Sequence, residues 1–117
     1  MLENWSEYDL GNVRKTLREL QRALHQVYGA GAPIAIVYGS QARRNANAAS
    51  DIDVLLIYPG EIRPGREIQR LRDVLARINL RYGELITVLP VSEKHYQVGN
   101  TPFWVNIRKE GVSIDAI

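Results

Sequence analysis

The segment GSQARRNANAASDID, Gly39 to Asp53, is where residue types and spacing could do chemistry. Gly39 follows an apolar run and permits a tight strand-to-helix turn with close approach of a ligand to the backbone. Ser40 would then stand at a helix N-terminus, where free N–H groups and the helix dipole attract phosphate and its hydroxyl can add a bond. Asp51 and Asp53 are separated by one residue, which on a strand sends both side chains off the same face. Two carboxylates held beside an apolar run repel each other and lose hydration. A hard divalent cation resolves that conflict, and Mg²⁺ commonly takes one or two carboxylates together with substrate phosphates. A solitary D-x-D is more often a solvated loop, and a solitary Gly-Ser is a weaker signal still. Joined between two apolar runs, they form the minimum apparatus for metal-assisted phosphoryl or nucleotidyl transfer.

The elements that must position this segment follow from periodicity. Ser6 opens a first helix, with Asp9 as an acidic variant of the capping box, and Leu10, Val13, Leu17, Leu20, Leu24 and Val27 form its inner stripe up to Gly29 and Gly31. Ile34 to Tyr38 reads as a buried strand, Ser40 to about Arg44 as a short helix, and Asn45 to Ala49 as a small-residue loop. Asp51 to Ile57 forms a second strand, apolar on both faces beyond Asp53, so it should lie inside a covered sheet. After a linker punctuated by Pro59-Gly60 and Pro64-Gly65, a helix from about Arg66 to Arg81 turns Ile68, Leu71, Val74, Leu75 and Ile78 inward. Leu85 to Val91 is a third strand, Ser92 caps a turn through Tyr96, and Thr101 caps a last helix with Pro102 in its first turn and Gly111 after its end. Val112 to Ile114 adds an edge strand. The order implies an α/β (α+β) fold, a small mixed sheet of three or four strands packed by helices.

A chain of 117 residues is one domain, residues 1–117, with room for one core and one site. No apolar run approaches the roughly 20 residues of a membrane span, and the acidic start MLENWSEYDL lacks the order of a signal peptide. With no cysteine, any metal ligands must be oxygen or imidazole, and the expected location is the cytoplasm. Net charge is only +2, but twelve of the fifteen basic residues are Arg, which suits planar phosphate recognition as well as a solvated face.

Gly39-Ser40, ten intervening residues, then Asp51-Ile52-Asp53 resembles the GS-x10-D-x-D signature of the minimal nucleotidyltransferases, in the DNA polymerase beta-like superfamily. Arg43 matches the Arg of their GSxAR turn, SDIDVLL is similar to their second strand, and NIRKEGV near the C-terminus is similar to the NIRREGV of some members. The resemblance implies the polymerase-beta-like fold, with Asp51 and Asp53 as metal ligands and catalytic residues, Gly39 and Ser40 holding NTP phosphates, and Arg43 contacting phosphate or bracing the turn. Arg44 stands where many relatives have Gly. The family's third carboxylate is expected on the third strand, whose only acid here is Glu84 at its start; the middle offers the neutral Thr87. Glu84 could complete a two-metal site or accept the proton of the attacking hydroxyl, or be an ordinary strand-start residue.

The implied cofactors are Mg²⁺, two ions, with ATP or another NTP as donor. The motifs and their strands use nearly all of the chain, so a protein or an RNA should present the acceptor. By resemblance the partner is a HEPN-domain RNase toxin, adenylylated on a tyrosine by its MNT antitoxin, in a homo- or hetero-oligomer. RNA is the weaker alternative, because tailing enzymes need an RNA-gripping domain. A catalytically degenerate member would instead neutralise its partner by contact. His25 reads as a flank residue of the first helix, His95 lies in a surface turn without a second histidine at ligand spacing, Phe103, Trp104 and Ile107 read mostly as core, and Arg66, Arg70, Arg77 and Arg81 form a stripe.

Overall fold

The computed structural model describes residues 7–39 and 51–116 and has the expected α/β architecture around a mixed sheet. Helix α1 (Glu7–Tyr28) buries Val13, Leu17, Leu20 and Leu24 from its inner stripe. Strand β1 (Ile34–Tyr38) pairs antiparallel with β2 (Ile52–Tyr58), and β2 pairs parallel with β3 (Ile86–Ser92) through the crossover helix α2 (Pro64–Tyr82). Helices α3 (Glu93–Val98) and α4 (Pro102–Glu110) follow, and the short strand β4 (Val112–Ser113) joins the free side of β1. The sheet order is β3-β2-β1-β4.

Side-chain alternation sorts the strands onto two cores. Ile52, Val54, Leu56 and Tyr58 of β2 join Ala35, Val37 and Ile86 against α1 and α2. Leu55 and Ile57 face the other way, with Val91, Ile36 and Leu89, and are covered by Ile107, Tyr96 and Trp104 of α3 and α4. Burial on both faces is why β2 reads as an unbroken apolar run beyond Asp53. Each fully buried Leu or Ile contributes about 1.5–3 kcal/mol by leaving water.

Several boundaries differ from the sequence expectation for local reasons. β2 begins at Ile52, so Asp51 stands one residue ahead of the strand. Pro64 lies in the first turn of α2 rather than in a linker, since a helix's first N–H groups need no partner there. Ser92 caps α3 by accepting from His95 N at 3.2 Å, whereas the Thr101 side chain makes no cap bond to α4. Within α2, Glu67 is buried at 7% exposure and Ile68 is 44% exposed, the reverse of what apolar periodicity gives. The inner stripe runs Glu67, Leu71, Leu75, Ile78, and Glu67 can occupy it because polar partners await it there.

Those partners form a chain between elements. Tyr58 Oη donates to Tyr28 Oη at 2.8 Å, Tyr28 Oη donates to Glu67 Oε1 at 2.8 Å, and Arg70 lies 3.5 Å from the same oxygen. Burial raises the Tyr58 phenol above the ordinary tyrosine value, with the bond to Tyr28 adding to it, and burial likewise raises Tyr28. The native state therefore keeps these protons at pH values where the unfolded chain releases them. Their contribution is complete below about pH 10 and is lost as pH rises beyond it. Tyr58→Phe should cost about 1 kcal/mol at neutral pH through the lost bond, yet show a shallower alkaline decline. Urea melts at about pH 8 and about pH 11 check this, and an unchanged slope against pH would contradict it.

Candidate active site

β1 and β2 run antiparallel with Tyr38 directly across from Asp53, so the residue after Tyr38 must cross the end of β2. That residue is Gly39, at φ 72° in the left-handed region that favours glycine. A Cβ placed on it would lie 2.6 Å from Asp53 Oδ2, so only a glycine lets the backbone seat against this carboxylate. On the other side β3 places Thr87 level with Asp53, and Thr87 Oγ1 donates to Asp53 Oδ1 at 2.7 Å. Asp53 is half-buried between these neighbours, while Asp51 is exposed at the strand entrance. Ile52 N donates to Leu85 O at 2.8 Å, which pins that entrance to β3.

Tyr38 completes the surroundings. Its phenol is raised above the ordinary value, by burial first and by the negative charge of Asp53 second. Its ring meets Phe103 of α4 edge-on, with centroids 5.9 Å apart. Nothing in the residue pattern marks Tyr38 as part of these surroundings; the pairing register of β1 against β2 is the missing information.

Gly39, Asp53 and Thr87 are thus brought together, with Asp51 adjoining. Ser40, Arg43 and Arg44 lie outside the described residues. Glu84 lies two residues ahead of β3. Asn12 Nδ2 donates to Glu84 Oε1 at 2.8 Å and to Tyr82 O at 2.7 Å, which holds Glu84 to α1. α1 packs on the sheet face opposite the one carrying Leu55 and Ile57, the alternation partners of Asp53. Among the described residues no group of three His, Cys, Asp or Glu side chains stands close enough to hold one metal ion. His95 is exposed on α3, and its ring meets Trp104 edge-on with centroids 5.2 Å apart.

Two acidic residues separated by one position, of which Asp53 lies against a Gly39 backbone that a Cβ would crowd, fit a hard divalent cation by their donor chemistry. A cleft of about 450 Å³ lies elsewhere, lined by Leu89, Pro90, Val91, Ser92 and Trp104 near the ends of β2 and β3 away from Asp53.

A sequence model of the nucleotidyltransferase domain matches residues 13–104. The chain belongs to this family. The matched span contains both carboxylates, Gly39 and Thr87. The nucleotidyltransferase chain is 29% identical over 101 residues to a candidate protein adenylyltransferase of Methanocaldococcus jannaschii, covering 86% of this chain and 95% of that protein. Its fold is similar to a chain of a toxin–antitoxin crystallised with AMP-PNP, at TM-score 0.57 and 9% identity, over 84% of this chain and 71% of the other. A mutant MntA–HpeT toxin–antitoxin gives TM-score 0.55 at 7% identity, over 84% and 70%. No helix among the described residues is long and apolar enough to cross a membrane.

Proposed function

We propose that this nucleotidyltransferase is Mg²⁺-dependent and moves AMP from ATP onto a hydroxyl of a partner protein, in the cytoplasm, as antitoxin to a HEPN-type RNase toxin. The observation that carries the chemistry is the Gly39 backbone lying against the Asp53 carboxylate, with Asp51 one residue ahead of the strand. The acceptor and partner are supported by the adenylyltransferase relative and by the toxin–antitoxin neighbours of the fold.

In this reading Asp51 and Asp53 hold the cation, and Gly39 and Ser40 present backbone N–H groups and a hydroxyl to the triphosphate. Arg43 contacts phosphate or braces the turn. The ion, when bound, neutralises triphosphate charge and polarises the α-phosphate. The acceptor oxygen bonds to the α-phosphorus, the bond to the β-phosphate bridge breaks, pyrophosphate leaves, and the hydroxyl proton passes to solvent. Tyr38 stays protonated and uncharged through the neutral range, so it walls the site without adding negative charge beside the phosphates.

A second reading has a specific observation in its favour: the residue level with Asp53 on β3 is the neutral Thr87. A chain that binds nucleotide but neutralises its partner by contact alone would tolerate that. Incubation with Mg²⁺, ATP labelled on its α-phosphate and the product of the adjacent gene separates the two. Transfer of label to the partner is expected; a stable complex without label would select the contact-only reading, and neither outcome would remove the partner assignment.

A further inference from the structure

We propose that Thr87 is a positioning residue for Asp53 and that, by standing level with it on β3, it limits the site to one divalent cation in the absence of nucleotide. The inference rests on the reading of Asp51 and Asp53 as a metal pair. Asp53 has two lateral neighbours in the sheet register, Tyr38 on β1 and Thr87 on β3, and both carry neutral hydroxyls. Thr87 Oγ1 donates to Oδ1 at 2.7 Å, and Gly39 packs against Oδ2, so the carboxylate is gripped from two sides.

A bond of this kind fixes which oxygen faces the metal, as hydrogen bonds from a metal's outer surroundings generally orient its ligands. It also decides how many ions the site supports. Two divalent ions bring four positive charges, and two carboxylates offset only half of them. A further acid would have to stand beside the pair. Leu89, next along the same face of β3, is apolar, and Glu84 is held by Asn12. Residues 40–50 contain no Asp or Glu. Among the described residues no third ligand joins the pair. Nucleotide phosphates can bring a second ion with them, which confines the one-ion limit to the nucleotide-free chain.

Mn²⁺ titration followed by electron paramagnetic resonance counts bound ions without requiring turnover. The wild-type chain is expected to bind one Mn²⁺. Thr87→Val keeps the shape and removes the donor, so it should still bind one ion but about tenfold or more weakly, with Thr87→Ser restoring the affinity. Thr87→Asp puts a carboxylate level with Asp53 and is expected to raise the count to two. Melting curves without metal show whether each variant is folded, and if Thr87→Asp is not, the Val and Ser pair still decides. Two ions of similar affinity on the wild-type chain, or unchanged affinity in Thr87→Val, overturns the proposal. If the wild-type chain binds no Mn²⁺ at all, the metal reading of Asp51 and Asp53 itself fails, a result distinct from either of those.

Discussion

Asp53→Asn is expected to reduce label transfer by about a thousandfold or more while leaving the fold intact. A bound metal contributes several kcal/mol to stabilising transition-state charge, and each 1.36 kcal/mol is about a factor of ten in rate. The amide keeps the size of the carboxylate, and its carbonyl oxygen can still accept from Thr87 Oγ1, the bond that measures 2.7 Å in the native chain. What it loses is the charge that a hard cation requires. Two opposite shifts should therefore appear in one experiment. Without ligand the variant should melt at or slightly above the wild-type temperature, because repulsion between neighbouring acids is relieved. With Mg²⁺ and ATP the wild-type chain should gain stability by linkage and the variant should not. Scanning fluorimetry with and without Mg²⁺-ATP checks both arms, and an Asp53→Asn chain that still gains stability from Mg²⁺-ATP would refute the assignment.

The second large effect is expected at Gly39→Ala. A non-glycine residue at φ 72° costs about 1–2 kcal/mol in backbone strain alone. The new methyl would also lie 2.6 Å from Asp53 Oδ2, inside any tolerable contact, so the carboxylate must swing away from its Thr87 donor. The strain should lower the melting temperature by about 3–10 °C, and the displaced carboxylate should abolish Mg²⁺-ATP stabilisation. A double-mutant cycle divides these causes. With Asp53→Ala already present, the methyl meets no carboxylate, so Gly39→Ala should then cost only the backbone term. Equal costs of Gly39→Ala in the two backgrounds would show that contact with Asp53 is not what the glycine is for.

Much of this was legible in the residues. The strands read at Ile34–Tyr38 and Asp51–Ile57, the helical stripe of α1 and the Ser92 cap all follow from periodicity and local chemistry, and the structure has them, with the second strand shifted by one residue to Ile52–Tyr58. A glycine-dependent turn after the first strand was also readable at Gly39, which takes φ 72°, although the residues did not reveal that its close neighbour is the Asp53 carboxylate. What periodicity could not supply was register and long-range pairing. Thr87 and Tyr38 are unremarkable strand residues until the sheet sets them level with Asp53. Glu84, two residues ahead of β3, accepts from Asn12, 72 positions away in sequence, through an α1 contact that no local pattern reveals. Glu67 was hidden for the same reason: its burial depends on Tyr28, 39 residues earlier.

Pro90 sits midway along β3, level with Leu56 of β2, and among the described residues β3 pairs on that one side alone. A proline has no amide hydrogen to offer an incoming strand, so the outer border of the sheet is a poor template for lengthening by another polypeptide. Copies crowded together in the cell are thereby discouraged from zipping into fibrils along this border. A partner strand is thereby disfavoured along the β3 border, where recognition would have to use side chains rather than main chain.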